Sequence, residues 1–179
     1  MCEHDQTGVT LWFTGLPCSG KSAIADRVAE ILKDRGYRVE RLDGDIVRKS
    51  LTRDLGFSRE DRDENIRRVT FVAKLLTRND VFVLTSFISP YREIRDEARR
   101  EIGRFLEVYT KCPLEVCIQR DVKGMYKKAM EGKIKEFTGI SDPYEEPLQP
   151  EILIETDKET LEESASRVLA KLKEQGFLE

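Results

Sequence analysis

Short apolar runs alternate with amphipathic stretches along most of this chain. Five runs carry the β-branched and aromatic residues typical of buried strands, and they lie at Val9–Thr14, Tyr37–Leu42, Val81–Thr85, Phe105–Tyr109 and Glu151–Glu155. Between them apolar residues recur at helical spacing, which predicts helices at Ser22–Leu32, Ile46–Leu51, Asp61–Thr77, Tyr91–Ile102, Leu114–Gln119 and Thr160–Gln175. This alternation predicts an α/β fold of three layers, in which a five-stranded parallel sheet has helices on both faces.

The segment from about 121 to 150 departs from this alternation. Its first half is rich in lysine and glycine, and its second half carries Pro143, Pro147 and Pro150. Such a composition predicts a mobile lid followed by a connecting loop. The sequence has no internal repeat and no linker, so residues 1–179 are predicted to form a single domain, with residues 1–7 as a flexible tail.

Composition narrows the class of protein. The formal net charge of −3 argues against a protein that coats nucleic acid, and neither a run of 18 apolar residues nor a signal peptide points to a membrane. The cysteines Cys2, Cys18, Cys112 and Cys117 form no C-x-x-C pair, which favours reduced thiols in the cytoplasm. His4 is the only histidine and lies in the polar tail, so neither a histidine-based zinc site nor a Ser-His-Asp triad is expected.

A glycine-rich motif lies between the first predicted strand and the first predicted helix. It has the pattern G-x-x-x-x-G-K-S and consists of Gly15, Leu16, Pro17, Cys18, Ser19, Gly20, Lys21 and Ser22. Backbone N–H groups of such a loop close around an anion, and the helix N-terminus adds partial positive charge. In this setting Lys21 is predicted to reach the β- and γ-phosphates of ATP, and the Ser22 hydroxyl to bind Mg²⁺. The motif predicts a P-loop.

Two aspartates distinguish among the classes of P-loop protein. The guanine-binding motif N-K-x-D of GTPases is absent, and the third strand runs into Thr85–Pro90 without a carboxylate. The acids best placed at a strand end are Asp43 and Asp45. Carboxylates near the transferred phosphate suit a small-molecule kinase, where they handle Mg²⁺ and the attacking hydroxyl.

Five further motifs resemble the adenylylsulfate kinase (APS kinase) family. They follow the family order and lie at Leu42–Arg48, Phe57–Arg68, Phe87–Arg92, Asp121–Lys128 and Ile134–Ile140. The resemblance covers about residues 7 to 176 and implies a P-loop nucleoside-triphosphate hydrolase-type fold. It also implies transfer of the ATP γ-phosphoryl group to the 3′-hydroxyl of adenosine 5′-phosphosulfate (APS), giving PAPS and ADP.

The same resemblance implies an acceptor site. Arg48 and Arg62 would offer planar guanidinium groups to the phosphosulfate, and Phe57 and Phe137 would enclose the adenine, although each ring could instead be an ordinary core residue. Other acceptor-site residues implied by the family are Asn65, Ile88, Ser89 and Lys123.

Asp43, Asp45 and Arg120 are given roles at the site of phosphoryl transfer and in ATP binding. Asp45 is the preferred residue to orient or deprotonate the 3′-hydroxyl, with Asp43 supporting Mg²⁺, but the sequence leaves open which does which. Arg120 is expected to lie against the ATP adenine.

Ser89 matches a position at which the family is commonly described as forming a phosphoserine. A serine nucleophile needs an adjacent base, and the only histidine is remote in sequence. We therefore expect direct in-line transfer, with Ser89 important for its place in the acceptor site.

Two other functions compete with this interpretation. One is a P-loop kinase for another small metabolite, and the other is a non-catalytic nucleotide-binding module. The family further suggests a homodimer, and the sulfurylase that makes APS would be a separate chain or a fused partner.

Overall fold

The apolar runs form the strands of one sheet in a computed structural model that describes residues 6–179. The strands are β1 Thr10–Thr14, β2 Val39–Asp43, β3 Phe82–Ser86, β4 Phe105–Lys111 and β5 Ile152–Glu155. They pair in the order β2-β3-β1-β4-β5, and every pairing is parallel. The predicted five-stranded parallel sheet is confirmed, whereas the expectations for Cys2 and His4 lie outside the described residues.

Seven helices connect or follow these strands within the described part of the chain. They are α1 Lys21–Asp34, α2 Gly44–Val47, α3 Arg59–Arg78, α4 Arg92–Ile102, α5 Leu114–Arg120, α6 Met125–Met130 and α7 Leu161–Glu174. The helix predicted at Ile46–Leu51 begins two residues earlier as α2, because the Asp43 carboxylate caps it by accepting from the Asp45 N–H, and it ends at Val47. Helix α6 was not predicted, and it lies in the segment 121–150.

The core has two main parts, one on each face of the sheet. On one face, α1 and α7 pack through residues such as Val28 and Val168 against β-strand side chains such as Leu84. On the other face, Trp12 lies at the centre of the contacts with α3 and α4, and its ring stacks on Phe87 and Phe105 at centroid distances of 6.1 and 5.7 Å. The three-layer α/β architecture is therefore confirmed.

Parallel strands bring their carboxyl ends to one edge of the sheet. The chain leaves β1 at Thr14, β2 at Asp43 and β3 at Ser86, so the P-loop, the paired aspartates and the Ile88–Ser89 segment all start at this edge. Ligands of open α/β sheets bind at this edge, and the loops predicted to be functional lie there together.

A buried charge network fastens the end of the segment 121–150 to the sheet. Arg95 of α4 donates to the Glu107 carboxylate of β4 at 2.8 Å, to the Ser89 carbonyl at 2.6 Å and to the Glu145 carbonyl at 2.7 Å. Arg99 joins the same Glu107 and also forms two hydrogen bonds with Glu151. Since the Arg95 and Glu107 side chains are almost fully buried, the charge of each is stabilised by the opposite charge of the other.

Two features concern the ends and surface of the chain. In the tail predicted for residues 1–7, Gln6 pairs with the backbone of Arg38 through its side-chain nitrogen and oxygen, at 2.8 and 2.7 Å. Within residues 6–179, no helix has the length and apolar character needed to cross a membrane.

Candidate active site

The P-loop of the structure depends on backbone conformations that favour glycine. Gly15 has φ of 150°, and a Cβ there would lie 2.5 Å from the Thr110 carbonyl oxygen. Gly20 caps the N-terminus of α1 with φ of 100°, and Cys18 between them also has a positive φ of 60°. The loop therefore wraps tightly over the end of β1 and delivers the chain into the positive end of α1.

Lys21 folds back over this loop. Its ammonium group donates to the carbonyls of Gly15 at 3.0 Å and Leu16 at 2.7 Å, and the residue is only 8% exposed. Burial lowers the Lys21 pKa to about 8, with smaller opposing effects from Cys117, Cys18 and the two aspartates. A phosphate group in the loop would supply the negative charge that this buried ammonium lacks.

A chain of polar contacts joins the P-loop to the two aspartates. The Ser22 hydroxyl donates to the Asp43 carboxylate at 2.7 Å, and the other Asp43 oxygen accepts from the Asp45 N–H at 3.0 Å. Asp45 in turn forms an ion pair with Lys123 of the segment 121–150. The structure thus brings together the four residues predicted for the metal, the hydroxyl group and the lid.

The two carboxylates differ in their surroundings. The Asp43 side chain is 17% exposed, and both of its oxygens accept hydrogen bonds from the protein, whereas the Asp45 side chain is 67% exposed. Asp43 is therefore fixed against the P-loop, and Asp45 presents its carboxylate to incoming molecules.

The acceptor-side arginines lie close to Phe57. The Arg48 guanidinium covers one face of the Phe57 ring, with its central carbon 4.4 Å from the ring centroid, and Arg62 donates to the Phe57 carbonyl at 2.8 Å. Burial lowers the pKa of Arg48, and the nearby Arg62 lowers it further. Two neighbouring guanidinium groups of this kind would be stabilised by an anion between them.

Asn65 follows Arg62 by one turn of α3 and is almost fully buried. Its side-chain oxygen has no hydrogen-bond partner among the described residues. A buried carbonyl oxygen without a hydrogen bond destabilises the folded protein, and such atoms often mark places where a ligand binds.

The aromatic rings predicted to enclose the adenine lie in contrasting surroundings. Phe57 is 61% exposed, with its remaining face open. Phe137 is buried, and its ring meets Tyr126 edge to face at 5.0 Å in a cluster that includes Cys112 and Cys117. The ordinary core environment considered for Phe137 is therefore present here, and its contact with adenine stays a prediction.

Ser89 lies at the strained turn after β3, with φ of 40°. Its hydroxyl is buried, accepts from the Trp12 indole at 3.1 Å and donates to the Thr14 hydroxyl at 3.2 Å. Thr14 then donates to the carbonyl of Ile88 at 2.7 Å. Because both sides of the Ser89 hydroxyl are occupied inside the protein, the surroundings favour a structural role over that of an attacking group.

Arg120 approaches the P-loop from its other side. Its guanidinium donates to the Thr156 hydroxyl at 3.1 Å and to the Thr156 carbonyl at 2.7 Å, and the Thr156 hydroxyl donates to the Ser19 carbonyl at 2.8 Å. Arg120 is exposed, and its contact with the ATP adenine stays a prediction. Sequence reasoning missed Thr156, which follows β5 without any recognisable motif.

The segment 121–150 docks on the P-loop in this structure. The Tyr126 hydroxyl donates to the Pro17 carbonyl at 3.0 Å, and the Asp121 carboxylate accepts from the N–H groups of Tyr126 and Lys127 at 3.0 Å each. Burial raises the pKa of Cys117 in the cluster beneath to about 12, and Cys112 and Cys117 are both buried free thiols. The predicted mobility of the lid stays a prediction.

Comparison with known proteins decides the family. Residues 7–155 match the family described as adenylylsulphate kinase. The chain belongs to the adenylylsulphate kinase family. Adenylyl-sulfate kinase of Halothermothrix orenii is 62% identical to it over 175 residues, which cover 98% of this chain and 95% of that protein. Adenylyl-sulfate kinase of Rippkaea orientalis is 61% identical over 173 residues, which cover 97% and 96%.

Solved structures agree with this membership. The adenylylsulphate kinase of Mycobacterium tuberculosis, solved in complex with AMPPNP and APS, superposes with a TM-score of 0.91 at 42% identity, covering 94% of this chain and 99% of that one. A gluconokinase from Sinorhizobium meliloti superposes with a TM-score of 0.60 at 15% identity, which shows a shared fold only. The predicted fold and family are therefore confirmed.

Proposed function

We propose that this chain transfers the γ-phosphoryl group of ATP to the 3′-hydroxyl of APS, giving PAPS and ADP. The single observation that carries this proposal is the juxtaposition of a complete P-loop with an exposed aspartate and a pair of arginines beside an exposed aromatic ring. Family membership supports the same reaction. An uncharged sugar acceptor would not need the pair of arginines.

On the donor side, this chain supplies positive charge in a preformed loop. Lys21 lies over the P-loop carbonyls and can turn to the β- and γ-phosphates, where its charge opposes the negative charge that develops during transfer. Arg120 and Thr156 flank the loop where an adenine would lie. These groups would bind and orient ATP, and none of them would form a covalent bond with it.

On the acceptor side, the difference in exposure between Asp43 and Asp45 supports separate roles for the two carboxylates. Asp45 is exposed and can accept the proton of the 3′-hydroxyl, since its partner Lys123 can move to an anionic substrate. Asp43 holds Ser22 and the start of α2, so it organises the site. Arg48, Arg62 and Asn65 would bind the phosphosulfate end of the substrate, and Phe57 its base.

Magnesium fits the oxygen atoms of this site. The Ser22 hydroxyl at the start of α1 and the Asp43 carboxylate at the end of β2 are hard donors in direct contact. Residues 6–179 contain no group of three or more metal-binding side chains, as suits an ion that keeps waters and substrate oxygens among its ligands. When bound, Mg²⁺ would neutralise phosphate charge.

The cellular setting follows from the same chemistry. We infer a cytoplasmic enzyme, since ATP is its donor and Cys18, Cys112 and Cys117 are free thiols. We further propose a homodimer that receives APS from an ATP sulfurylase, either a separate chain or a fused domain, on the strength of the family resemblance.

Acceptor discrimination tests this proposal. Initial rates with Mg²⁺ and ATP should show kcat/KM for APS far above that for AMP, which has no sulfate. Arg48→Met should narrow that ratio by about tenfold or more, because a charged hydrogen-bonding group is lost, while Arg53→Met, an exposed arginine nearby, should leave it unchanged. Equal rates for APS and AMP would refute recognition of the sulfate.

A further inference from the structure

A cluster of polar groups joins α3, the start of α4 and the segment 121–150. Its members are Arg62, Tyr91, Thr138 and Asp142, and Asp142 belongs to none of the site residues considered above. Arg62 lies in α3, Tyr91 caps α4, and the other two lie after Phe137. The cluster thus links an expected anion-binding residue to the turn that carries an expected base-binding residue.

The Arg62 guanidinium is almost completely engaged by protein groups. Its Nη1 donates to the Thr138 hydroxyl at 2.9 Å and to the Asp142 carboxylate, and its Nη2 donates to the Glu136 carbonyl. With Nε bound to the Phe57 carbonyl, these four hydrogen bonds leave one of the five N–H groups, on Nη2, for a ligand, and the residue is 9% exposed. Among these partners only Asp142 carries a charge, so it contributes the strongest of the contacts.

Asp142 has a second partner on the same oxygen. The Tyr91 hydroxyl donates to Oδ2 at 3.1 Å, and burial together with this carboxylate raises the Tyr91 pKa, so the phenol stays a donor at neutral pH. Because Arg62 and Tyr91 lie on different helices, one carboxylate ties both helices together.

The backbone of Asp142 closes the turn after Phe137. The Asp142 N–H donates to the Phe137 carbonyl at 3.1 Å, and the Gly139 N–H donates to the Asp142 carbonyl at 2.8 Å. The Ser141 hydroxyl accepts from the Phe137 N–H at 2.9 Å. The position of Phe137 relative to α3 is therefore set through Asp142.

We propose that Asp142 is a positioning residue for the acceptor: its carboxylate orients Arg62 and docks the Phe137 turn on α3 and α4. This inference rests on the proposed function, since it matters for catalysis only if Arg62 and Phe137 serve APS. Asp142 has no contact with the P-loop lysine or with the Ser22–Asp43 pair. Its loss should therefore weaken the acceptor and spare the donor.

Calorimetric titration of the full chain with APS and, separately, with a non-hydrolysable ATP analogue tests this. Asp142→Asn should weaken APS binding about tenfold, as expected for the loss of a charged hydrogen bond, and change the affinity for the ATP analogue less than twofold. Asp80→Asn provides a matched control, because Asp80 pairs with Arg104 away from the site. Tyr91→Phe, which keeps the ring and the fold, should produce a smaller loss for APS alone.

The outcomes are distinct. Unchanged APS affinity in Asp142→Asn and Tyr91→Phe would overturn the inference, and so would an equal loss for both ligands, which indicates a general structural role. Failure of the unaltered chain to bind APS while it binds the ATP analogue would instead overturn the proposed function, and this inference with it.

Discussion

Replacing Lys21 by methionine should remove a destabilisation of the nucleotide-free protein that depends on pH. Lys21 has a pKa near 8 in the folded protein, against 10.5 for an ordinary lysine, because burial disfavours the ammonium form. That difference corresponds to about 3 kcal/mol of destabilisation at pH values where the lysine is charged in both states. Methionine has a similar shape and no charge.

The sign follows from proton binding. Between pH 8 and pH 10.5 the unfolded chain holds the Lys21 proton and the folded protein releases it, so the stability of the unaltered protein rises with pH there. The destabilisation is fully present below pH 8. Between pH 7 and pH 10 the difference in unfolding free energy between Lys21→Met and the unaltered protein should therefore change by about 2–3 kcal/mol, as the destabilisation by the charged lysine is lost.

Urea unfolding at pH 7 and pH 10 measures this difference. Lys33→Met, at an exposed position of the same helix, controls for the general effect of losing a lysine. With ATP present, the unaltered protein should become more stable than Lys21→Met. The phosphates favour the charged lysine, so only the unaltered protein gains the full stabilisation from bound ATP. The reasoning is refuted if the difference between Lys21→Met and the unaltered protein is the same at both pH values.

Three other substitutions test separate parts of the site. Asp45→Asn should lower kcat with APS about 10²- to 10⁴-fold while ATP binding persists in a titration, and near-normal turnover would remove Asp45 as the base. Phe57→Ala should raise KM for APS about tenfold and leave KM for ATP unchanged, because one face of the base loses its stacking partner; an unaltered KM for APS argues against stacking. Arg95→Leu should lower the free energy of unfolding in urea by about 3 kcal/mol, since the buried Glu107 carboxylate would lose its nearest partner and keep only the longer contact with Arg99; a loss below 1 kcal/mol would contradict this.

The sequence predicts the parts of this site that are local in the chain. The P-loop comprises eight consecutive residues, so its pattern can be recognised without a fold. Asp43 and Asp45 stand at the end of a recognisable strand for the same reason. The strands β1, β3 and β4 could be found because each is a short, largely apolar run, as central parallel strands are. The edge strand β2 is mostly charged, and it is marked only by Val39 and Leu42.

Contacts between residues that lie far apart in the chain could not be predicted from the sequence. Thr138 and Asp142, two of the partners of Arg62, lie 76 and 80 residues away along the chain, so the role of Arg62 in docking the Phe137 turn could be seen only in the fold. Helix α6 has six residues, too few to establish a helical period. The burial of Phe137 against Tyr126 was missed because the surrounding lysines and glycines indicated an exposed segment.

The identity of the phosphorylated product tests the central claim most directly. Phosphorus NMR of a reaction containing the purified chain, Mg²⁺, ATP and APS should show phosphate on the 3′-oxygen of APS, with one ADP formed for each PAPS. ADP release without phosphorylated APS, or phosphate at another position of the acceptor, would contradict the account.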